Sequence, residues 1–227
     1  MKPAFLALAD GSLFQGRSIG SDGETSGELI FNTAMCGYGE VLSDPSYRRQ
    51  IVAMTSPHIG NYGIASGMYE SDRFQAAGFV IRSLTEIPST TELHAIPLRE
   101  ALQKEGIVAI DGIDVRQLTR QIRTEGTIPA AIVAGKDATI ERAAALAKSA
   151  PSMTGAHLVP EVSTRYSYTV FNERVFLTHD VILYDFGVKR SIINNLVQRG
   201  CAVTVVPQNT PAKDVLKRNP SGVVLSN

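Results

Sequence analysis

Two cysteines, four histidines and a serine in an Asp-Pro-Ser-Tyr turn are the residues of this chain with most chemical potential. A cysteine nucleophile needs a lowered pKa, a nearby base and hydrogen-bond donors for the tetrahedral intermediate. Neither Cys36 nor Cys201 shows that setting in its sequence neighbourhood. Cys201 follows Gly200 at the start of an apolar run and reads as a small core residue. Cys36, between Met35 and Gly37, also reads as structural. His58, His94, His157 and His179 are far apart and lack ligand spacing, which argues against a metal site. His58 reads as a structural histidine rather than a base. Ser46, judged on its neighbours alone, is a turn residue. Asp185-Phe186-Gly187 spells a kinase triplet, yet no Gly-rich phosphate loop or catalytic-loop motif accompanies it, and that reading is discarded.

The cations call for a reading of their own. Lys189 and Arg190 fall in the first turn of an expected helix, where positive charge opposes the macrodipole. They read either as a solvated pair or as contacts for a carboxylate of another domain or subunit. Arg116, Arg120 and Arg123 form a stripe on one helix face, read as solvated with local acidic neighbours. Over the whole chain, 22 Lys and Arg balance 22 Asp and Glu. No overall field draws in nucleic acid or an anionic membrane, so a small neutral substrate or a protein partner is favoured. Two cysteines are too few for a disulfide framework, and reducing cytosol is the expected setting. The apolar start ends at Asp10-Gly11, too soon for a signal peptide, and no run approaches the length of a spanning helix.

These residues must be held by elements. At 227 residues the chain has room for one large domain or two modest ones, burying roughly 70–75 % of its unfolded surface. Residues 5–8, 13–14, 20–27, 28–33, 50–55 and 78–82 alternate short apolar runs with turn residues and predict strands. Helices are expected only after residue 96. A short one covers 98–105, and a strand follows at 107–110. The clearest helix covers 115–124, with Asp114 as cap, Gln117 completing a capping box and Gly126 beyond its end. Asp137 is expected to cap an Ala-rich helix reaching residue 149. Residues 151–180 carry Pro151, Pro160, Tyr166, Tyr168, Phe171 and Phe176 and read as a packed linker. From 181 the pattern becomes strand, helix, strand, helix, strand, with Thr210 capping and Pro211 opening the second helix, which runs to about residue 220. That order predicts a parallel sheet with helices on its faces, whose ligands lie beyond the carboxyl ends of the strands, near Ser226-Asn227.

Longer motifs then join these pieces. Gly37-Tyr38-Gly39-Glu40-Val41-Leu42-Ser43-Asp44-Pro45-Ser46-Tyr47, with Gln50-Ile51 and Thr55-Ser56-Pro57-His58-Ile59-Gly60-Asn61-Tyr62-Gly63, resembles the amino-terminal signature of the carbamoyl phosphate synthetase small subunit. Asp111 to Arg120, with Arg123 and Gly126, resembles a second family block. Tyr184-Asp185-Phe186-Gly187-Val188-Lys189-Arg190 and Gly222-Val223-Val224-Leu225-Ser226-Asn227 resemble the opening of its amidotransferase domain. The resemblance covers nearly the whole chain in order.

It implies an α/β protein: a β-rich α+β amino-terminal domain (1–150) for docking on the large subunit, a linker (151–180), and the opening β-α-β-α-β of a parallel-sheet class I amidotransferase domain (181–227). It also implies a function. Glutamine is hydrolysed by a cysteine, and ammonia passes to a large subunit that makes carbamoyl phosphate from bicarbonate with ATP and Mg, for arginine or pyrimidine synthesis in the cytoplasm. By resemblance Ser46 contacts L-glutamine, Lys189 and Arg190 serve as interface or support, and the chain holds no cofactor of its own. The family's Gly-Pro-Gly loop, nucleophile elbow and His-Glu pair have no counterpart in 1–227, so this chain by itself is expected not to hydrolyse glutamine. Two readings compete with this one. The chain could be a non-catalytic interaction module for a large partner, or 181–227 could be a flavodoxin-like ligand domain, against which the lack of a second glycine near Gly187 speaks.

Overall fold

The computed structural model describes residues 2–89 and 94–226. The chain divides into two compact units, Met1–Ala156 and His157–Asn227.

The first unit is built on seven strands: β1 (Pro3–Leu8), β2 (Leu13–Ser18), β3 (Gly23–Asn32), β4 (Gln50–Met54), β5 (Gly78–Val80), β6 (Val108–Asp111) and β7 (Ile128–Ala134). They close into a barrel in the order β1-β2-β6-β5-β4-β3-β7, and β7 pairs back onto β1. The pairs β3–β4, β4–β5 and β5–β6 are parallel and the rest antiparallel. Strand side chains alternate between faces, so one run of sequence fills two cores. Leu6, Leu8, Leu29, Ile51, Ala53, Val80, Ile110, Ala130 and Ile132 share the interior cluster. Their neighbours Val52, Met54, Phe79 and Ala109 point the other way, into a second cluster with α1 (Tyr38–Ser43) and α2 (Leu98–Lys104). Ala7, Ala131 and Val133 pack against α4 (Ile140–Lys148) in a third.

Helix α3 (Val115–Glu125) contributes Val115, Leu118 and Ile122 to the interior cluster. Its start is fixed as expected: Asp114 accepts hydrogen bonds from the amides of Arg116 (3.1 Å) and Gln117 (3.0 Å). Three expectations are corrected in this unit. Helix appears already at α1, whose six residues are too few to show a periodicity. Residues 128–134, which carried no strand expectation, close the barrel as β7. And α4 is capped by Thr139, whose extended backbone aims its hydroxyl at the Arg142 amide (3.2 Å), instead of by Asp137.

The second unit is a four-stranded sheet in the order β11-β9-β10-β8, from β8 (Tyr168–Val170), β9 (His179–Asp185), β10 (Cys201–Pro207) and β11 (Gly222–Leu225). Strands β9, β10 and β11 run parallel, as the strand-helix alternation requires. Helix α6 (Arg190–Gln198) covers one face, burying Ile193 and Val197 against Val181, Leu183, Val203 and Val205. Helix α7 (Ala212–Leu216) packs Val215 on Ile182 and Val206 of the other. The stretch read as a linker contains α5 (Val159–Val162) and β8, which adds antiparallel to β10 and joins Thr169 to Thr204 hydroxyl to hydroxyl (3.0 Å). The start of α7 also differs from expectation. Pro211 is the cap residue, and the Thr210 hydroxyl donates to the Pro207 carbonyl (2.8 Å). The helix stops at Leu216, well before Pro220. Among the described residues no helix is long and apolar enough to cross a membrane.

Candidate functional site

Ser46 lies on the tip of a short 3-10 turn, Pro45–Tyr47, between α1 and β4. The local sequence explains the turn. Pro45 fixes φ at its first position, and Asp44, buried in front of it, accepts the Ser46 amide at 2.9 Å. The amides of Tyr47 and Arg48 then close onto the carbonyls of Asp44 and Pro45, each at 3.1 Å. The serine is left exposed while its own backbone donor is satisfied. A hydroxyl held that way can donate to a carbonyl and accept from an ammonium or amide.

The turn is anchored on both sides. Upstream, the buried Ser43 hydroxyl donates to the Gly39 carbonyl (2.7 Å) and accepts the Glu70 amide (2.8 Å), and the Ser71 hydroxyl donates to the Ser43 carbonyl (2.7 Å). Downstream, Arg49 adopts a left-handed φ of 62°. Its carbonyl lies so close to Gly27 on β3 that a Cβ there would sit 2.2 Å from the oxygen, which requires glycine at that point. Tyr47 reaches back to β3, its hydroxyl accepting the Asn32 side-chain amide at 2.9 Å.

Beside the turn, Tyr38 and Tyr62 form a reciprocal lock. Their rings stack at 4.2 Å. The Tyr38 hydroxyl donates to the Gly63 carbonyl (3.0 Å) and accepts the Tyr62 amide (3.1 Å), while the Tyr62 hydroxyl accepts the amides of Gly37 and Tyr38. Burial pushes both phenols above the ordinary tyrosine range, so each works as a neutral hydrogen-bonding group. The lock fixes Gly37 in the left-handed conformation (φ 81°) from which α1 starts.

In the second unit, Lys189 is the cap residue of α6 and Arg190 its first helical residue; Lys189 is half-buried and Arg190 exposed. The loop that delivers them is organised by Asp185. One carboxylate oxygen of this buried residue accepts the amides of Gly187 (2.9 Å) and Val188 (2.8 Å), and the other accepts the Thr164 amide (2.6 Å). Ser226, after β11, accepts the Phe186 amide on its hydroxyl (2.8 Å) and donates its own amide to the Tyr184 carbonyl (3.1 Å). Asn227 of the same motif lies outside the described residues.

The remaining candidates separate cleanly. Cys201 is buried at the start of β10 in the α6 cluster, as its apolar context indicated. Cys36, read as structural, is exposed on the loop after β3. His58, His94, His157 and His179 are all exposed, as are Arg116, Arg120 and Arg123 on the outer side of α3. Among the described residues no group of three or more His, Cys, Asp or Glu could hold a metal ion.

Sequence reasoning missed Asn32, the tyrosine lock and Asp185 as a loop organiser. The signal for Asp185 was the Asp-x-Gly after an apolar strand, the composition of an Asx-type turn. It also missed bidentate ion pairs on the barrel, among them those of Arg17 and Arg99. Arg17 grips the buried Asp111 (2.8 and 2.6 Å), and Arg99 grips Glu86 (3.0 and 2.6 Å) while donating to the Ser18 carbonyl (3.1 Å). The hydrogen-bonded Arg99 guanidinium holds the Glu86 carboxyl below the usual range, and Asp111 raises Arg17 in the same way.

Residues 182–227, which include the buried Asp185 and the cation-headed helix α6, match the profile of class I glutamine amidotransferases. The barrel narrows this further. Residues 6–132, more than half of the chain, match the CPSase domain of the carbamoyl-phosphate synthase small chain, and the chain belongs to that family. Carbamoyl phosphate synthase small chains from Pseudomonas aeruginosa and Pseudomonas syringae are 48 % and 47 % identical to it, each aligned over 100 % of this chain and 63 % of the relative. That of Stutzerimonas stutzeri is 46 % identical over 99 % of this chain and 62 % of its own length. The chain therefore spans under two thirds of the length of these relatives.

Proposed function

We propose that this chain works within the glutamine-handling subunit of carbamoyl phosphate synthetase. The subunit splits the side-chain amide of L-glutamine with water to give glutamate and ammonia, and the ammonia goes to a large subunit that consumes ATP, with Mg, and bicarbonate. The setting is the cytoplasm and the product serves arginine or pyrimidine synthesis. The observation that carries the reading is the order of the two family matches, 6–132 and then 182–227, along one chain.

Within that function the barrel unit docks on the large subunit. Ser46 contacts glutamine through its hydroxyl, a role supported by its exposure on a turn whose backbone is already satisfied. Lys189 and Arg190 provide supporting or interface contacts. Residues 1–227 do not hydrolyse glutamine by themselves. Supporting this, Cys201 packs among Val181, Val197 and Val203, where a sulfur lacks the open access a nucleophile needs.

Two measurements on the purified chain test the proposal together. Incubated with glutamine, it should release glutamate no faster than the buffer; turnover at ordinary enzyme rates would refute the non-hydrolytic part. Mixed with the large subunit, it should be retained on an affinity resin carrying that partner, and loss of retention would refute docking.

A further inference from the structure

Asn32 ends β3 opposite Met54 of β4, and three of its polar groups each reach a different segment. Its backbone carbonyl accepts the Thr55 amide at 3.0 Å, which ties down the chain leaving β4. Its side-chain oxygen accepts the Ala34 amide at 2.8 Å, an Asx turn that sets the course of the loop towards Gly37. Its side-chain nitrogen donates to the Tyr47 hydroxyl at 2.9 Å, one residue beyond Ser46.

The Ser46 turn is short and its tip projects into solvent. Intrinsic geometry from Pro45 and Asp44 sets its shape, but a three-residue turn can still rock as a body about its ends. Besides the anchors at Ser43 and Arg49, Tyr47 restrains it next to the serine itself. Its ring is partly buried against the cluster that also holds Tyr38 and Leu42, and its hydroxyl is pinned by Asn32. The contact runs from the barrel wall to the residue beside the serine, so the barrel sets where the hydroxyl sits.

We infer that Asn32, acting through the Tyr47 hydroxyl, is a positioning residue for Ser46 and thereby tunes the affinity for glutamine. This rests on the reading of Ser46 as a glutamine contact. On this reading Asn32 and Tyr47 act on glutamine only through the placement of Ser46. A hydrogen bond between uncharged groups contributes about 0.5–1.5 kcal/mol, so losing the restraint should cost roughly 2- to 12-fold in binding, and the change should fall on KM.

The test uses the complete small chain assembled with its large subunit. Carbamoyl phosphate synthesis is driven by glutamine or, bypassing the glutamine site, by ammonia. The reading is the ratio of the two rates at limiting nitrogen donor, with KM and kcat for glutamine separated. Tyr47→Phe deletes only the hydroxyl, so it tests the contact even where Asn32→Leu impairs folding. Ser46→Ala is measured alongside, together with the Ser46→Ala/Tyr47→Phe double variant.

On this proposal Tyr47→Phe and Asn32→Leu each raise KM for glutamine about 2- to 12-fold. The double variant is no worse than Ser46→Ala alone, because a lever without its load does nothing. If Ser46→Ala raises KM while Tyr47→Phe leaves it within twofold, the positioning role falls and the Ser46 contact stands. Equal damage by Tyr47→Phe in the presence and absence of the Ser46 hydroxyl marks a merely structural role and also overturns it. If Ser46→Ala itself leaves KM unchanged, the glutamine-contact reading fails and the positioning role with it.

Discussion

In the barrel unit every strand is hydrogen-bonded on both sides, whereas in the sheet unit the outer strands β8 and β11 each have a single neighbour among the described residues. The consequence appears in the side chains. Barrel residues such as Leu6 and Ile51 are fully buried, while Val223 and Leu225 on β11 remain 46 % and 68 % exposed. Closure removes edges, and it lets a strand present both of its faces to apolar partners. Among the described residues β11 is paired on one side only, with β9. The comparison teaches where stability is stored in this chain and where a substitution will be felt.

The largest effect should come from the barrel interior. Leu6→Ala should destabilise the first unit by about 2–5 kcal/mol, since a closed barrel has little freedom to collapse onto the cavity. Val223→Ala on β11 should cost under about 1 kcal/mol, because much of that side chain is already in water. Amide hydrogen exchange followed by mass spectrometry reads the two units separately in one sample. Similar costs for the two substitutions would break the contrast.

A middle-sized effect is expected at Asp185, a dense polar anchor of the open sheet. Asp185→Ala removes the acceptor of three backbone amides and should cost about 2–3 kcal/mol. Faster exchange should appear at residues 185–190 and at Thr164, with β1 to β7 unaffected. Exchange that stays slow in that loop would show that the helix packing of α6 holds it without the carboxylate.

The smallest effect concerns the barrel's surface. Arg99 lowers the folded-state pKa of Glu86 below the ordinary carboxylate value of 4.5. A depressed pKa means that the pair's contribution is fully present above about pH 4.5 and is lost as pH falls through the folded-state value. Glu86 is half-exposed, so solvent screening keeps this contribution small. In urea titrations from pH 7 down to pH 3, Glu86→Gln should lower the midpoint slightly at neutral pH and converge with the parent chain in acid. A constant gap across the range would show that the pair acts through packing rather than charge.

Much of this was legible before folding. The strands at 50–55 and 107–110, the helix after Asp114 and the parallel unit from 181 follow from local periodicity and capping chemistry, which act over a few residues. What stayed hidden was short or distant. The six residues of α1 follow a left-handed glycine, and their apolar positions Tyr38, Val41 and Leu42 span little more than one turn. The caps at Thr139 and Pro211 depended on backbone angles that several nearby polar residues could have supplied. Strand β8 was concealed among aromatic residues that looked like a packed connector. At the candidate site, the Asp-Pro-Ser-Tyr turn was visible as a string. The Asn32–Tyr47 contact was not, because fifteen residues and a helix separate its ends.

By itself the sequence determined the local conformations, the alternation that sorts each strand into two faces and the motifs that mark the family, since these depend on neighbours within one turn or one strand. The tertiary structure alone decided the closure of the barrel, where β7 is zipped onto β1 and β3, strands remote from it along the chain, and the anchoring of the Ser46 turn. Those features are pairings between partners remote along the chain. Many segments could have satisfied the same backbone groups, and only simultaneous burial of both faces selects among them.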